Sequence, residues 1–303
     1  MARPEPFLSA GMPQPRPESR FRRRLVTAFN SARSDMSQEN DVREQARIFE
    51  HLSKLPVFSP SALQLLGVST ESDSAMEAFA EAFGSDPALA ADLLVVVNSG
   101  VFAPRCHIET IRHALSFLGL DRARSLASTI ALKIAMRNFR HKEQARPVWA
   151  HGIAAAVVAE ELGTLHGVPG LYTAALMHDL GRLGLLLADG ARYAEVLSGT
   201  YDDIEESNRL ERTLLGIDHC QAGEMLGRTW KFPAGLRASL SGHHEIVAPS
   251  KPGELVRMAC LAADFLGFPE VQRRDVERTG PVWELSLDHV REKINQRIAV
   301  LGG

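Results

Sequence analysis

The sequence predicts an all-α protein built in two helical halves. From about Asp41 onward apolar residues recur at helical spacing, strand-like alternation never runs beyond a few residues, and proline, glycine and aspartate fall where helices start and stop. Residues 1–40 break this pattern. They are rich in proline and arginine without apolar periodicity, which predicts a disordered tail whose Arg20–Arg24 cluster is a solvated or docking arm. Met36 is an alternative translation start that would leave this tail outside the protein.

In the first half, residues 41–138, Asp86-Pro87 reads as the N-cap and first position of a helix that lines Leu89, Leu93 and Val96 along one face. Asp121 precedes a helix carrying Leu126, Ile130 and Ile134. A linker is expected over residues 137–147, after which Pro147 opens a helix that Gly167 ends. The second half, residues 147–270, continues with short helices stopped at Gly181 and Gly216. Asp218 caps the next one, and Pro233 opens another. Residues 271–303 form a C-terminal extension whose last stripe is Leu287, Val290, Ile294 and Ile298.

Bulk properties exclude several function classes. A net charge of −3 and a pI near 6.4 provide no global basic field for nucleic acid or a membrane surface. Arg122, Arg124, Lys133 and Arg137 are interspersed with apolar residues as on a solvated helix face. The longest apolar run, Leu93–Val97, falls far short of the roughly 20 residues a span requires, and the N-terminus lacks a secretory signal. Cys106, Cys220 and Cys260 are far apart and form no CxxC pair, so neither a thiolate zinc site nor a disulfide framework is indicated. Cys220 packs most simply as a small hydrophobe. A cytoplasmic location is expected.

The polar residues of the second half carry the functional signal. His151 shares a helical face with Val148, Ala155, Val158 and Leu162, and His178 shares one with Leu171 and Ala175. His219 falls in the first turn after Asp218, His243 follows Leu236 and Leu240, and Asp264 interrupts an apolar helix. A single histidine on an apolar face is more often a core residue bonded to a backbone carbonyl. Several helices that all turn imidazole or carboxylate inward have a common explanation in one shared polar centre. Its natural occupant is a divalent first-row metal such as iron, manganese or zinc, because the cation offsets the cost of burying the ligands. Two ions bridged by one carboxylate would activate a water and clamp a phosphate. A hydrogen-bonded network left after loss of the metal is the alternative. His107, His113, His141 and His166 are expected at the surface.

These residues resemble the HD superfamily of metal phosphohydrolases. Matched to its pattern, the first histidine is His151, the His-Asp pair is His178 and Asp179, the middle histidine is His219, the double histidine is His243 and His244, and the last aspartate is Asp264. The resemblance implies that these seven residues are ligands and that Asp179 bridges the metals. Upstream, "LPVFSPSALQLLG", "GSDPALAADLLVVVNSGVFAP" and "IRHALSFLGLDRARSLA" look like the HDOD (HD-related output domain) family, and the likeness runs from about Phe49 to Phe268. It implies a bacterial signalling or regulatory module over residues 41–270 that acts on a protein partner or a nucleotide. The final stripe from Leu287 to Leu301 is expected to pack on the domain or on a second copy of the chain. The HD-GYP phosphodiesterases follow His-Asp with Ile-Gly-Lys and their double histidine with Gly-Tyr-Pro. This chain reads "HDLGR" and "HHEIVAPSKPGELV", which weighs against cyclic di-GMP hydrolysis. If the chain is a phosphohydrolase, His178 and Asp179 do the chemistry and Arg182 grips the phosphate through its bidentate fork.

Overall fold

The computed structural model describes residues 37–55, 58–137, 141–245, 250–274 and 285–301. Residues 1–36 of the proline- and arginine-rich tail, with the Met36 start, lie outside this set, whereas residues 37–40, expected to be disordered with the tail, form the first turn of a helix. The chain separates into Met1–Arg43 and Glu44–Gly303, and the architecture below concerns the second unit.

Helix is the dominant element, as the periodicity predicts. After α1 (Ser37–Ser53), the N-terminal half contributes α2 (Pro60–Gly67), α3 (Ala75–Gly84), α4 (Pro87–Val97), α5 (Ile111–Leu118) and α6 (Leu120–Met136). Asp86 caps α4 by accepting from the Leu89 amide, with Pro87 at the first position, and Leu89, Leu93 and Val96 are buried. Helix α6 begins two residues earlier than a helix preceded by Asp121 would, because Gly119, at φ 76°, makes the entry and leaves Asp121 in the first turn, where a negative charge suits the helix dipole.

The long helix α7 (Lys142–His166) corrects the expected start. Pro147 lies inside it, and residues 142–147 belong to the helix rather than to a linker. Lys142, Glu143, Gln144 and Ala145 are good helix formers, so the turn they add outweighs the single bond that the proline denies to the Glu143 carbonyl. Gly167, in the left-handed conformation at φ 66°, ends α7 as expected.

Then come α8 (Leu171–Met177), α9 (Leu180–Ala188), α10 (Gly190–Leu197), α11 (Ile204–Leu215), α12 (His219–Thr229), α13 (Ala234–Gly242), α14 (Lys251–Phe265) and α15 (Leu287–Leu301). Gly181 does not stop a helix. The chain breaks at His178-Asp179, and Gly181 sits in the first turn of α9.

Two strands too short to register as alternation, β1 (Thr200–Tyr201) and β2 (Gln272–Arg273), pair in parallel. They tie the segment after α14 back to the α10–α11 connection. Helix α15 packs on α7, burying Val290 and Ile294, with Lys293 paired to Glu161. The two halves share one apolar core that runs from Phe79 and Leu93 to Leu240 and Val256. Ser128 and Thr129 of α6 meet Thr173 and Tyr172 of α8 at 3.0 and 3.1 Å. Among the described residues no helix is long and apolar enough to cross a membrane.

Candidate metal centre

The centre forms where α7, α8, α9, α12 and α13 converge. His151 projects from the middle of α7, while His178 and Asp179 occupy the break between α8 and α9. Asp179 is the N-cap residue of α9, yet its side chain makes no capping bond. It turns inward instead. His219 is the first residue of α12, fixed there by the Asp218/Gln221 capping box. His243 and His244 follow the last turn of α13.

The imidazoles are oriented from behind. The Nδ1 atoms of His151, His178 and His243 donate to the carbonyls of Phe268 (2.8 Å), Ala175 (2.5 Å) and Ser239 (3.0 Å). A carbonyl only accepts, so each Nδ1 carries hydrogen and a neutral ring presents its Nε2 lone pair inward. His219 is held the same way, its Nδ1 donating to Glu211 at 2.7 Å while its backbone amide donates to the same carboxylate oxygen at 2.8 Å.

These Nε2 atoms converge on Asp179. Its Oδ2 lies 3.6 Å from His178 and 3.8 Å from His151, and its Oδ1 lies 3.2 Å from His243 and 3.5 Å from His219. Lone pairs therefore face lone pairs: the Nε2 atoms of His151 and His178 are 3.2 Å apart, and those of His219 and His244 are 3.0 Å apart. Both oxygens of Asp179 and Nε2 of His243 are buried without a hydrogen-bond partner. With neutral rings this is an array of acceptors without donors, a cost that protons on one ring of each pair or bound metal ions would relieve, and the donor set fits a metal.

Protonation behaviour agrees. Burial drives His178 down to about 3, against the pull of Asp179. Burial likewise lowers His243 and His244. Burial also opposes a charge on His151, but Glu270, Cys260 and Asp179 outweigh it and raise the group to about 10. His219 is raised against burial and Arg182 by Glu211 and Cys220. His151 and His219 thus hold a proton more readily than the imidazoles they face.

Six of the seven expected ligands meet here, and Asp264 stands apart. Its Oδ1 lies 3.2 Å from Nδ1 of His151, on the far side of that ring from His178, and its Oδ2 is paired with Arg273. Arg182 is also differently placed from a substrate grip. Its guanidinium is fully buried, with Nη1 2.9 Å from Glu211 and 3.3 Å from the Tyr193 hydroxyl, Nε 3.4 Å from Asp179, and Nη2 3.5 Å from Glu270. Glu211, Glu270, Tyr193 and Arg273 escape sequence reasoning. Glu211 is one of several charges on an amphipathic helix, and Glu270 and Arg273 follow α14 in a segment without a motif.

A family model for the HDOD domain matches residues 55–246, well over half of the chain. The chain belongs to the HDOD family. Solved structures share the fold of this HDOD protein. An HDOD domain protein of unknown function from Geobacter sulfurreducens is 22% identical, with a TM-score of 0.66 over 86% of this chain and 96% of that one. A protein of Shewanella amazonensis SB2B, assigned only provisionally as a phosphohydrolase, is 24% identical with a TM-score of 0.59, covering 84% and 96%. An uncharacterized protein of Treponema pallidum is 22% identical over 252 residues, which is 81% of this chain. The chain spans about half the length of that curated relative, 48%.

Proposed function

We propose that this HDOD protein is a regulatory module that retains a metal centre and acts by binding a partner protein or a nucleotide rather than by turnover. The observation that carries this reading is the enclosure of the centre. His151, His178, Arg182 and His219 are 0% exposed, His243 is 2% and Asp179 is 3%. A phosphohydrolase must bring a phosphate ester to its ions, and these side chains are sealed within the helices that supply them.

A bound divalent ion would supply Lewis acidity and an activated water. His178, Asp179, His243 and His219 would hold it with His151 and His244, and the Phe268 carbonyl would fix the His151 ring through Nδ1. Arg182 offsets the buried charge of Glu211 and Asp179. The second reading, a metal-dependent phosphohydrolase, is favoured by the convergent donor set and by His244, which is half-buried and forms the side of the centre nearest solvent.

Elemental analysis tests the proposal on protein purified without chelators or a histidine tag, beside Asp179→Ala, with circular dichroism of both. Iron, manganese or zinc in stoichiometric amount that is lost from the variant, with no hydrolysis across a panel of nucleotides and phosphate esters, is the expected result. A folded, metal-free wild type would overturn the retained metal. Turnover abolished by Asp179→Ala would replace the regulatory reading with the hydrolytic one.

A further inference from the structure

Two of the three cysteines, dispersed in sequence, are brought to the centre by the fold, one on each side of Asp179. Cys260 lies on α14, one turn before Asp264, and is fully buried. Donor atoms of Cys260, His151 and His178 all lie within 4.8 Å of one another. Cys220 follows His219 in the first turn of α12, with Sγ 3.6 Å from Nε2 of His219. It forms a second group with His219, His243 and His244, again within 4.8 Å. Donors held about 2.0–2.3 Å from one common ion lie within about 4.6 Å of one another, so small side-chain adjustments would let each group share an ion.

The first half of the centre has a position to fill. Asp264, the carboxylate expected there, is turned to Nδ1 of His151 and paired with Arg273. Cys260, on the same face of α14, stands among the ligands instead. Both oxygens of Asp179 remain buried and unpartnered between the two groups.

We propose that the centre has mixed donors, with Cys260 giving a sulfur ligand to the half formed by His151 and His178 and Cys220 giving one to the half formed by His219, His243 and His244. This rests on the metal reading above and specifies its chemistry. Each sulfur binds as thiolate, so one S–H bond breaks and its proton leaves to solvent as one metal–sulfur bond forms. Sulfur donors favour zinc, cobalt or iron over manganese or magnesium, which prefer oxygen-rich sites. By CxxC spacing the sequence indicates no thiolate site, and this proposal instead draws its two sulfurs from residues that only folding brings to the histidines.

Cobalt(II) titration of the chelator-stripped full chain tests this, because a cobalt–thiolate bond has a near-ultraviolet charge-transfer band that imidazole and carboxylate lack. Wild type, Cys220→Ser, Cys260→Ser and the double variant are compared in a Cys106→Ser background, which removes the exposed third thiol. Alanine versions of each variant and circular dichroism control for folding. The expected result is a band that falls by about half in each single variant and vanishes in the double variant, while cobalt remains bound and is lost on Asp179→Ala. Cobalt bound without the band, or a band that survives the double substitution, overturns sulfur ligation and leaves the metal reading standing. A folded wild type that binds no cobalt overturns both.

Discussion

Asp179 shows how far one residue can depart from its local role. An aspartate at an N-cap ordinarily accepts from its own helix, and here it faces the Nε2 atoms of His151, His178, His219 and His243. Glu211 is its counterpart outside the ligand set. It orients His219 through two hydrogen bonds and neutralises Arg182, and those partners pull its carboxyl down to about 2 despite burial. Glu211→Gln removes the charge at nearly constant shape and leaves Arg182 underpaired. The expected cost is about 3 kcal/mol in urea unfolding, because removing one partner uncovers a buried charge. Metal affinity by titration falls by roughly 10–100-fold, as for other groups that orient a metal-bound histidine. Unchanged affinity would remove Glu211 from the centre's support.

At the scale of elements, the α8–α9 break is what brings the pair into the centre, and close approach of α12 holds it there. A Cβ added at Gly181 would fall 1.8 Å from the carbonyl oxygen of His219 and 2.7 Å from the amide nitrogen of Gly223, both backbone atoms. No side chain can be accommodated without moving α12, and His219 with it. Gly181→Ala is therefore expected to destabilise the protein by about 3 kcal/mol and to abolish metal binding. Gly235 in α13 has nothing within 4 Å of an added Cβ, so Gly235→Ala is expected to stabilise by about 0.5 kcal/mol. Thermal melts of the two variants check the contrast, and equal effects would refute the packing argument.

At the scale of the whole molecule, the carboxylates buried among the described residues, Asp179, Glu211, Asp218, Asp264 and Glu270, outnumber the buried guanidiniums Arg182 and Arg273. Metal-free protein makes up positive charge on His151 and His219. The pKa of His151 rises on folding from 6.5 to about 10, so the native state binds its proton more tightly than the unfolded chain does. That stability is fully present below about pH 6.5 and is lost as pH rises through about 10. Urea midpoints of metal-free protein should fall over this window, whereas bound metal, which replaces the proton, should flatten the profile. A midpoint that rises with pH in metal-free protein would contradict the assignment.

Helical class, the capping of α4 and α12, the end of α7 and the inward faces bearing His151, His178 and His243 were legible in the sequence because they depend on local spacing and capping chemistry. Local rules misplaced the start of α7 and the role of Gly181, where the first turn of a helix and an interhelical contact overrode the usual meaning of proline and glycine. The sequence alone determined which candidate donor residues are present and their order along the chain. Only the tertiary structure decided that Asp264 faces Arg273, that Arg182 is enclosed by Glu211 and Glu270, and that Cys220 and Cys260 flank the histidines. Those outcomes depend on distances between side chains far apart in the chain, set by how α9, α12 and α14 pack rather than by any periodicity within them.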